Sequence, residues 1–150
     1  MAELTESVVV AAPPQAVWDR LVDWDAQGEW MLLTRVRGTE QHGQGVGARI
    51  EGWTGLGPLV VHDTMTIRVW EPPVRCVVRH TGRFVRGSGA FEISDLGDGR
   101  SRFTWSEWLD LPLGLLGRVG WLLVRPAMRL GVQASLRRFA RSVEAAAAHP

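Results

Sequence analysis

The sequence predicts an α+β fold in which a strongly curved antiparallel sheet of seven strands has one face covered by a long C-terminal helix, with two short helices after the first strand. Apolar and polar residues alternate through the middle of the chain, which indicates strands. Glycine- and proline-rich turns separate these segments, as in a meander. After Pro112, apolar residues recur every three or four positions, which indicates a helix.

The first strand is predicted at residues 6–12, where three consecutive valines favour extended backbone. Pro13 and Pro14 end it and preset the first turn of a helix. Val17 and Leu21 are four residues apart and share one face of that helix, which ends near Asp23. Residues 25–31 are then predicted to form a second short helix or a tight loop.

Six further strands follow between residues 33 and 109. The clearest is residues 60–70, where Val61, Met65 and Ile67 lie on one side and His62 and Thr66 on the other. Gly97-Asp98-Gly99 predicts a hairpin between the last two strands. The six segments are residues 33–40, 48–53, 60–70, 74–81, 88–95 and 101–109.

The segment from Pro112 to the C-terminus is predicted to be helical, with a kink or a break at Pro126. Its first part, residues 113–124, is apolar except for Arg118, and Arg125 follows it. Two interpretations stay open for this part. It is buried against the sheet, or it lies transiently on an anionic membrane surface.

The composition indicates one globular domain over residues 1–150. The hydrophobic fraction is 45% and the net charge is +1, values that argue against disorder and give no overall field for binding nucleic acid. Residues 112–150 carry six arginines and one acid, so the positive charge is concentrated in the terminal helix. The acidic N-terminus has no apolar signal region, and the single cysteine, Cys76, forms no internal disulfide. We therefore expect a cytoplasmic protein.

No motif indicates a metal, a cofactor or a nucleophile. The four histidines include no pair at metal-ligand spacing. Residues 43–48 fit the dinucleotide pattern G-x-G-x-x-A, but a strand rather than a helix follows them, so we interpret them as a turn. Ser88, between two glycines, lacks the spacing of a nucleophile elbow. The sequence thus predicts no metal and no cofactor.

The chain resembles the START-like superfamily of helix-grip proteins, which includes polyketide cyclases, lipid-transport proteins and birch-pollen-allergen-like proteins. The segments that carry the resemblance are Ala11 to Trp18, Asp23 to Trp30, Gly45 to Arg49, Trp70 to Pro73, Leu115 to Gly117 and Ser135 to Phe139. The resemblance covers nearly the whole chain. It implies a sheet wrapped around the terminal helix, with an elongated apolar cavity between them that holds a hydrophobic molecule.

Three polar residues share a side with apolar strand residues and are the catalytic candidates, namely Asp63, His80 and Glu107. In an apolar cavity their pKa values shift, which suits acid–base chemistry, but each has another interpretation as a ligand-orienting group, an arginine partner or an outward residue beyond a bulge. The residues predicted to contact a ligand are Trp53, Val61, Met65, Ile67, Val78, Phe91, Phe103, Trp105, Val124 and Met128.

We therefore expect a non-enzymatic protein, monomeric or homodimeric, that binds or carries a lipid, an isoprenoid or a polyketide. The first alternative is a polyketide cyclase or aromatase that uses the three polar residues. The second is a toxin or regulator of the same superfamily that acts through a partner, by way of arginines on the terminal helix such as Arg118, Arg125 and Arg129.

Overall fold

A computed structural model describes residues 2–148, and its elements follow the predicted order. The chain forms β1 (Ala2–Val10), α1 (Pro14–Leu21), a 3-10 helix (Trp24–Glu29), β2 (Thr34–Gly38), a short 3-10 turn (Glu40–Gly43), β3 (Arg49–Leu56), β4 (Leu59–Glu71), β5 (Arg75–Thr81), β6 (Arg86–Gly97), β7 (Arg100–Leu109) and α2 (Leu115–Ala148).

The seven strands form one antiparallel sheet in the order β1-β7-β6-β5-β4-β3-β2. Strands β2 to β7 follow one another as a meander, and β1 pairs with β7 at the far edge. The fold prediction of a seven-stranded sheet with a long terminal helix is confirmed, as is the position of the two short helices. Strand β1 begins four residues earlier than predicted because Ala2 to Thr5 continue the pairing with β7.

The hydrophobic core lies between the concave face of the sheet and the C-terminal half of α2. Trp30, Phe103 and Phe139 are fully buried at its centre, with Trp30 at 4.8 Å from Phe139 between ring centroids. From Val132 onward, α2 places Leu136, Phe139 and Val143 into this core at helical spacing.

Helix α2 is held in place by polar contacts at both edges of the sheet. Arg129 Nε and Gln133 Nε2 donate to the two carboxylate oxygens of Glu6 on β1, at 2.6 Å and 3.1 Å. Near the other edge, the backbone N–H of Leu32, just before β2, donates to Ser135 Oγ at 3.0 Å. These contacts fix α2 across the open side of the sheet.

Pro126 does not split α2, contrary to one of the two outcomes predicted for it. A proline removes one N–H···O=C bond of the helix, here the bond to the carbonyl of Leu122. Leu122 is exposed, so water can satisfy that carbonyl, and the helix continues.

The N-terminal half of α2 has two apolar sides. At 100° per residue, Trp121, Val124 and Met128 point toward the sheet. The opposite side is apolar as well and lies in solvent, with side chains between 49% and 77% exposed. We call this opposite side the outer apolar face; it consists of Leu115, Leu116, Val119, Leu122, Leu123 and Leu130. The interpretation that this segment is buried against the sheet therefore applies only to the side of the helix with Trp121, Val124 and Met128.

Between Ala2 and Ala148, no helix combines the length and the apolarity needed to cross a bilayer.

Candidate functional site

An apolar cavity of about 730 Å³ lies between the concave face of the sheet and α2. Strands β2 to β7 form its floor and α2 its roof, while the segment around Met31 closes one side. Its walls are mostly aliphatic and aromatic, as in sites for hydrophobic small molecules. Leu33, Val61 and Val124 line the cavity and are also exposed, so they mark its mouth.

Seven of the ten residues predicted to contact a ligand line this cavity, namely Val61, Met65, Val78, Phe91, Trp105, Val124 and Met128. Ile67 and Phe103 do not line it, since both are fully buried in the core beside it. Trp53 lies on the outer face of the sheet, where its ring stacks on His62 at 5.1 Å and against Arg35 and Arg37. Alternation explains the difference, because Gly52, the residue before Trp53, is the one that faces inward.

The three catalytic candidates come together at the cavity wall. His80 Nδ1 lies 2.7 Å from Asp63 Oδ2, and His80 Nε2 lies 2.9 Å from Glu107 Oε2. The other Glu107 oxygen accepts a hydrogen bond from Trp105 Nε1 at 2.9 Å. All three residues line the cavity, and they are its only charged lining residues within the described chain. We call this group the carboxylate–histidine cluster.

Strand phase places each member of the cluster inward. Asp63 follows Val61 and precedes Met65 on β4, and all three line the cavity. A bulge between Ile67 and Val69 shifts the register of β4, but it lies beyond Asp63 and leaves its phase unchanged. The bulge considered in the sequence analysis therefore does not turn Asp63 outward.

A glycine allows Glu107 to reach His80 across an intervening strand. His80 is on β5 and Glu107 on β7, with β6 between them. The β6 residue opposite Glu107 is Gly89, and a Cβ atom there would lie 3.0 Å from both Glu107 carboxylate oxygens. The carboxylate thus occupies the space that a β6 side chain would fill. Sequence analysis treated Gly87-Ser88-Gly89 only as a failed nucleophile motif and missed this signal.

The cluster holds His80 as an imidazolium. Carboxylates accept hydrogen bonds, so two carboxylate partners require both ring nitrogens to carry a proton. Burial by itself lowers the pKa of His80, but the hydrogen bonds and charges of Asp63 and Glu107 outweigh it and raise the pKa from 6.5 to about 10. With both carboxylates ionised, the cluster carries one net negative charge.

The remaining groups considered for chemistry lie apart from the cluster. Cys76 is fully buried in the core, and burial raises the pKa of its thiol to about 12, so it is unreactive at neutral pH. Ser88 is a strand residue, and the glycine-rich segment at residues 43–48 leads into β3. Over residues 2–148, no group of three acidic, histidine or cysteine side chains is arranged to hold a metal ion.

Comparison with known proteins gives one family match. A sequence-family model described as polyketide cyclase / dehydrase and lipid transport matches residues 1–144. No curated protein matches the sequence.

Several solved structures share the fold at low sequence identity. The protein TTHA0849 from Thermus thermophilus superposes with a TM-score of 0.81 at 17% identity, over 97% of this chain and 99% of that one. The Zhui aromatase/cyclase from a Streptomyces species gives 0.77 at 16% identity, over 95% and 93% of the two chains. The di-domain aromatase/cyclase BexL gives 0.73 at 16% identity, over 96% of this chain and 47% of BexL.

Proposed function

We propose that this protein binds a hydrophobic small molecule such as a lipid, an isoprenoid or a polyketide. The chain belongs to the polyketide cyclase / dehydrase and lipid transport family, which supports this proposal. The observation that carries this proposal is the apolar cavity of about 730 Å³ with an open mouth beside α2. Its size is within the range of small-molecule sites, and its lining buries a ligand on the sheet side and the helix side together.

Filling the cavity tests this function. Gly131 lines the cavity on α2, and a Cβ atom there meets nothing within 4 Å, so Gly131→Trp places an indole in the ligand space without a backbone clash. Gly120, on the same helix, also has open space but does not line the cavity, which makes Gly120→Trp the matched control.

The measurement is native mass spectrometry of the purified protein, followed by extraction of any bound compound and a panel of lipids, quinones and polyketides. We expect a stoichiometric apolar adduct on the wild type and on Gly120→Trp, and its loss in Gly131→Trp. If the wild type carries no adduct and no compound of the panel raises its melting temperature, the binding function is wrong.

A second candidate function, acid–base catalysis on a bound polyketide, is favoured by the carboxylate–histidine cluster. Ring closure of a polyketide requires removal of a proton beside a carbonyl group. His80 is poorly suited as the base at neutral pH, because both of its nitrogens are protonated and both N–H groups are occupied. The base would therefore be Asp63 or Glu107.

Turnover of a poly-β-ketone substrate separates the two functions. For a cyclase, Asp63→Asn or Glu107→Gln lowers turnover by about 100-fold or more while the substrate still binds. For a carrier, these variants change affinity alone and no turnover is seen in the wild type.

A transient contact with an anionic membrane surface fits the same carrier function. The outer apolar face of α2 is exposed, and Arg118 and Arg125 flank it with no acidic side chain within 4 Å among the described residues. Residues 115–131 contain no acid at all, so this face complements anionic headgroups. Val124, at the cavity mouth, lies on the same stretch of α2 but on its opposite side, about one helix diameter (~10 Å) from this face.

A further inference from the structure

The carboxylate–histidine cluster presents hydrogen-bond acceptors to a ligand and no free donor. Both His80 N–H groups donate within the cluster, and the Trp105 indole N–H donates to Glu107. The four oxygens of Asp63 and Glu107 remain as acceptors with further lone pairs. One of them, Asp63 Oδ1, is itself buried and has no hydrogen-bond partner among the described residues, so a ligand approaches the cluster through the exposed part of the two side chains, 17% of Asp63 and 13% of Glu107.

The net charge of the cluster also favours a ligand group that donates hydrogen bonds. One imidazolium and two carboxylates give a net negative charge in a cavity whose other lining, over residues 2–148, is uncharged. None of the seventeen arginines of the chain lines the cavity. A ligand carboxylate or phosphate at this wall would meet like charge in apolar surroundings, where repulsion is strong and no cation is free to offset it.

The other polar groups of the wall are weaker anchors. Gln27 Nε2 donates to the Leu21 carbonyl, and Thr34 Oγ1 to the Leu32 carbonyl. Ser135 Oγ accepts from the Leu32 N–H. They are uncharged, so the cluster is the strongest polar feature that the described wall offers to a hydrophobic ligand.

We propose that the cavity selects hydrophobic molecules that end in a hydroxyl, phenol or amine group, which donates to Asp63 or Glu107, and that it rejects molecules whose polar end is a carboxylate or a phosphate. This selection rests on the proposed binding function and adds the class of ligand. Neutral terpenoid or sterol-like alcohols, phenols and lipophilic amines belong to the selected class, whereas free fatty acids do not.

Four pyrene derivatives that share one ring system test the selection. The probes are 1-pyrenemethanol, 1-pyrenemethylamine, 1-methylpyrene and 1-pyrenecarboxylate, and their binding at pH 7 is measured by energy transfer from tryptophan, since Trp105 lines the site. We expect the alcohol and the amine to bind about tenfold or more tightly than 1-methylpyrene, as one hydrogen bond to a charged acceptor provides. We expect the carboxylate to bind about tenfold or more weakly than 1-methylpyrene, because it meets like charge.

Neutralising the cluster identifies it as the origin of the selection. Asp63→Asn and Glu107→Gln each replace an acceptor oxygen by an amide donor, so the preference for the amine over the carboxylate falls by about tenfold or more. Glu51→Gln is the matched control, because Glu51 pairs with Arg37 on the outer face of the sheet. The ranking in the wild type tests the proposal even if a variant fails to fold.

The outcomes separate the selection from the binding function. If all four probes bind the wild type with equal affinity, or if the carboxylate binds best, the selection is wrong while hydrophobic binding stands. If none of them binds, the binding function and the selection fail together.

Discussion

The pKa of His80 is strongly raised, and its surroundings explain why. The side chain is almost fully buried between two carboxylates on different strands. An imidazolium without partners would be expelled from such a site, whereas one with two charged acceptors is retained. The cluster therefore joins β4, β5 and β7 through three side chains.

The stability of the protein should depend on pH through His80. The pKa is 6.5 in the unfolded chain and about 10 in the folded one, so the stabilisation is complete below pH 6.5 and is lost as the pH rises toward 10. We expect the free energy of unfolding in urea to fall between pH 7 and pH 9 by at most about 1.4 kcal/mol per pH unit, the limit for one linked proton. Above pH 9 the Cys76 thiol adds its own effect, because it ionises in the unfolded chain first.

Replacement of His80 should flatten this slope. His80→Gln is expected to be less stable at pH 7, because Asp63 and Glu107 lose the positive charge between them. Its stability should be nearly independent of pH up to 9, because the imidazole that titrates is absent. His62→Gln serves as the control because His62 is half-exposed on the outer face. A wild-type slope that survives in His80→Gln would contradict the assignment.

Gly89 leaves free the space that the Glu107 carboxylate occupies beside His80. In Gly89→Ala, the new methyl group lies 3.0 Å from both Glu107 oxygens, so Glu107 must move away from His80. We expect a loss of about 1–3 kcal/mol in the free energy of unfolding, together with a lower His80 pKa in an NMR titration.

The matched control for this substitution is Gly52→Ala. Gly52 pairs with Asp63, the other carboxylate, but its nearest contact is an ordinary 3.7 Å to Met65 Cε. It should leave the His80 pKa unchanged. If both alanine variants leave it unchanged, the space at Gly89 is not what lets Glu107 reach His80.

At the scale of elements, α2 combines two different packing surfaces in one helix. Its C-terminal half is an ordinary amphipathic helix with one buried side. Its N-terminal half is apolar toward the cavity and apolar toward solvent, an unusual exposure for consecutive leucines. The exposed side is suited to contact a surface that is both apolar and negatively charged.

We predict that the protein binds anionic lipid vesicles through this outer apolar face. Flotation with phosphatidylglycerol-containing vesicles should recover the wild type, and recovery should fall at least about tenfold for the double variant Leu116→Asp/Leu123→Asp. Val74→Asp is the control, because Val74 is also an exposed apolar residue but lies in the β4–β5 turn, away from α2. Arg118→Ala should weaken binding to anionic vesicles more than any binding to neutral ones, because it removes a positive charge.

A second copy of the chain is the competing occupant of this face. Sedimentation that shows a dimer, abolished by the same leucine substitutions, with no flotation of the wild type, would assign the face to self-association. Flotation that does not respond to the leucine substitutions would place the membrane contact elsewhere on the molecule.

At the scale of the whole molecule, the cavity that would bind a ligand also lowers the stability of the ligand-free protein. An apolar space of about 730 Å³ leaves the residues around it without packing partners in the absence of a ligand. A glycine inside a helix costs about 1 kcal/mol relative to alanine, and α2 has such a glycine, Gly131, at the cavity wall.

Gly131→Leu should therefore raise the free energy of unfolding of the ligand-free protein by about 1 kcal/mol and weaken ligand binding at the same time. Gly120→Leu should match the gain from helix propensity without the loss of affinity, since Gly120 does not line the cavity. Urea unfolding and titration of the same ligand on both variants check this. Equal losses of affinity in the two variants would contradict the role of Gly131.

The sequence by itself determined the order of elements, the number of strands and, on β4 to β7, the side of the strand that faces inward. These properties follow from local periodicity and turn residues, which act over a few positions. Asp63, His80 and Glu107 could be chosen as inward residues for this reason, and so could Val61, Met65 and Val78 of the cavity lining.

Only the tertiary structure decided which of these residues meet. Contact among Asp63, His80 and Glu107 depends on strand order, on the register of β5, β6 and β7, and on the missing side chain at Gly89. These features involve residues up to 44 positions apart in the sequence. The outward position of Trp53 and the exposure of the outer apolar face of α2 were decided at the same level. Periodicity indicates which side of a helix or strand is apolar, but the packing of distant segments determines whether that side is buried.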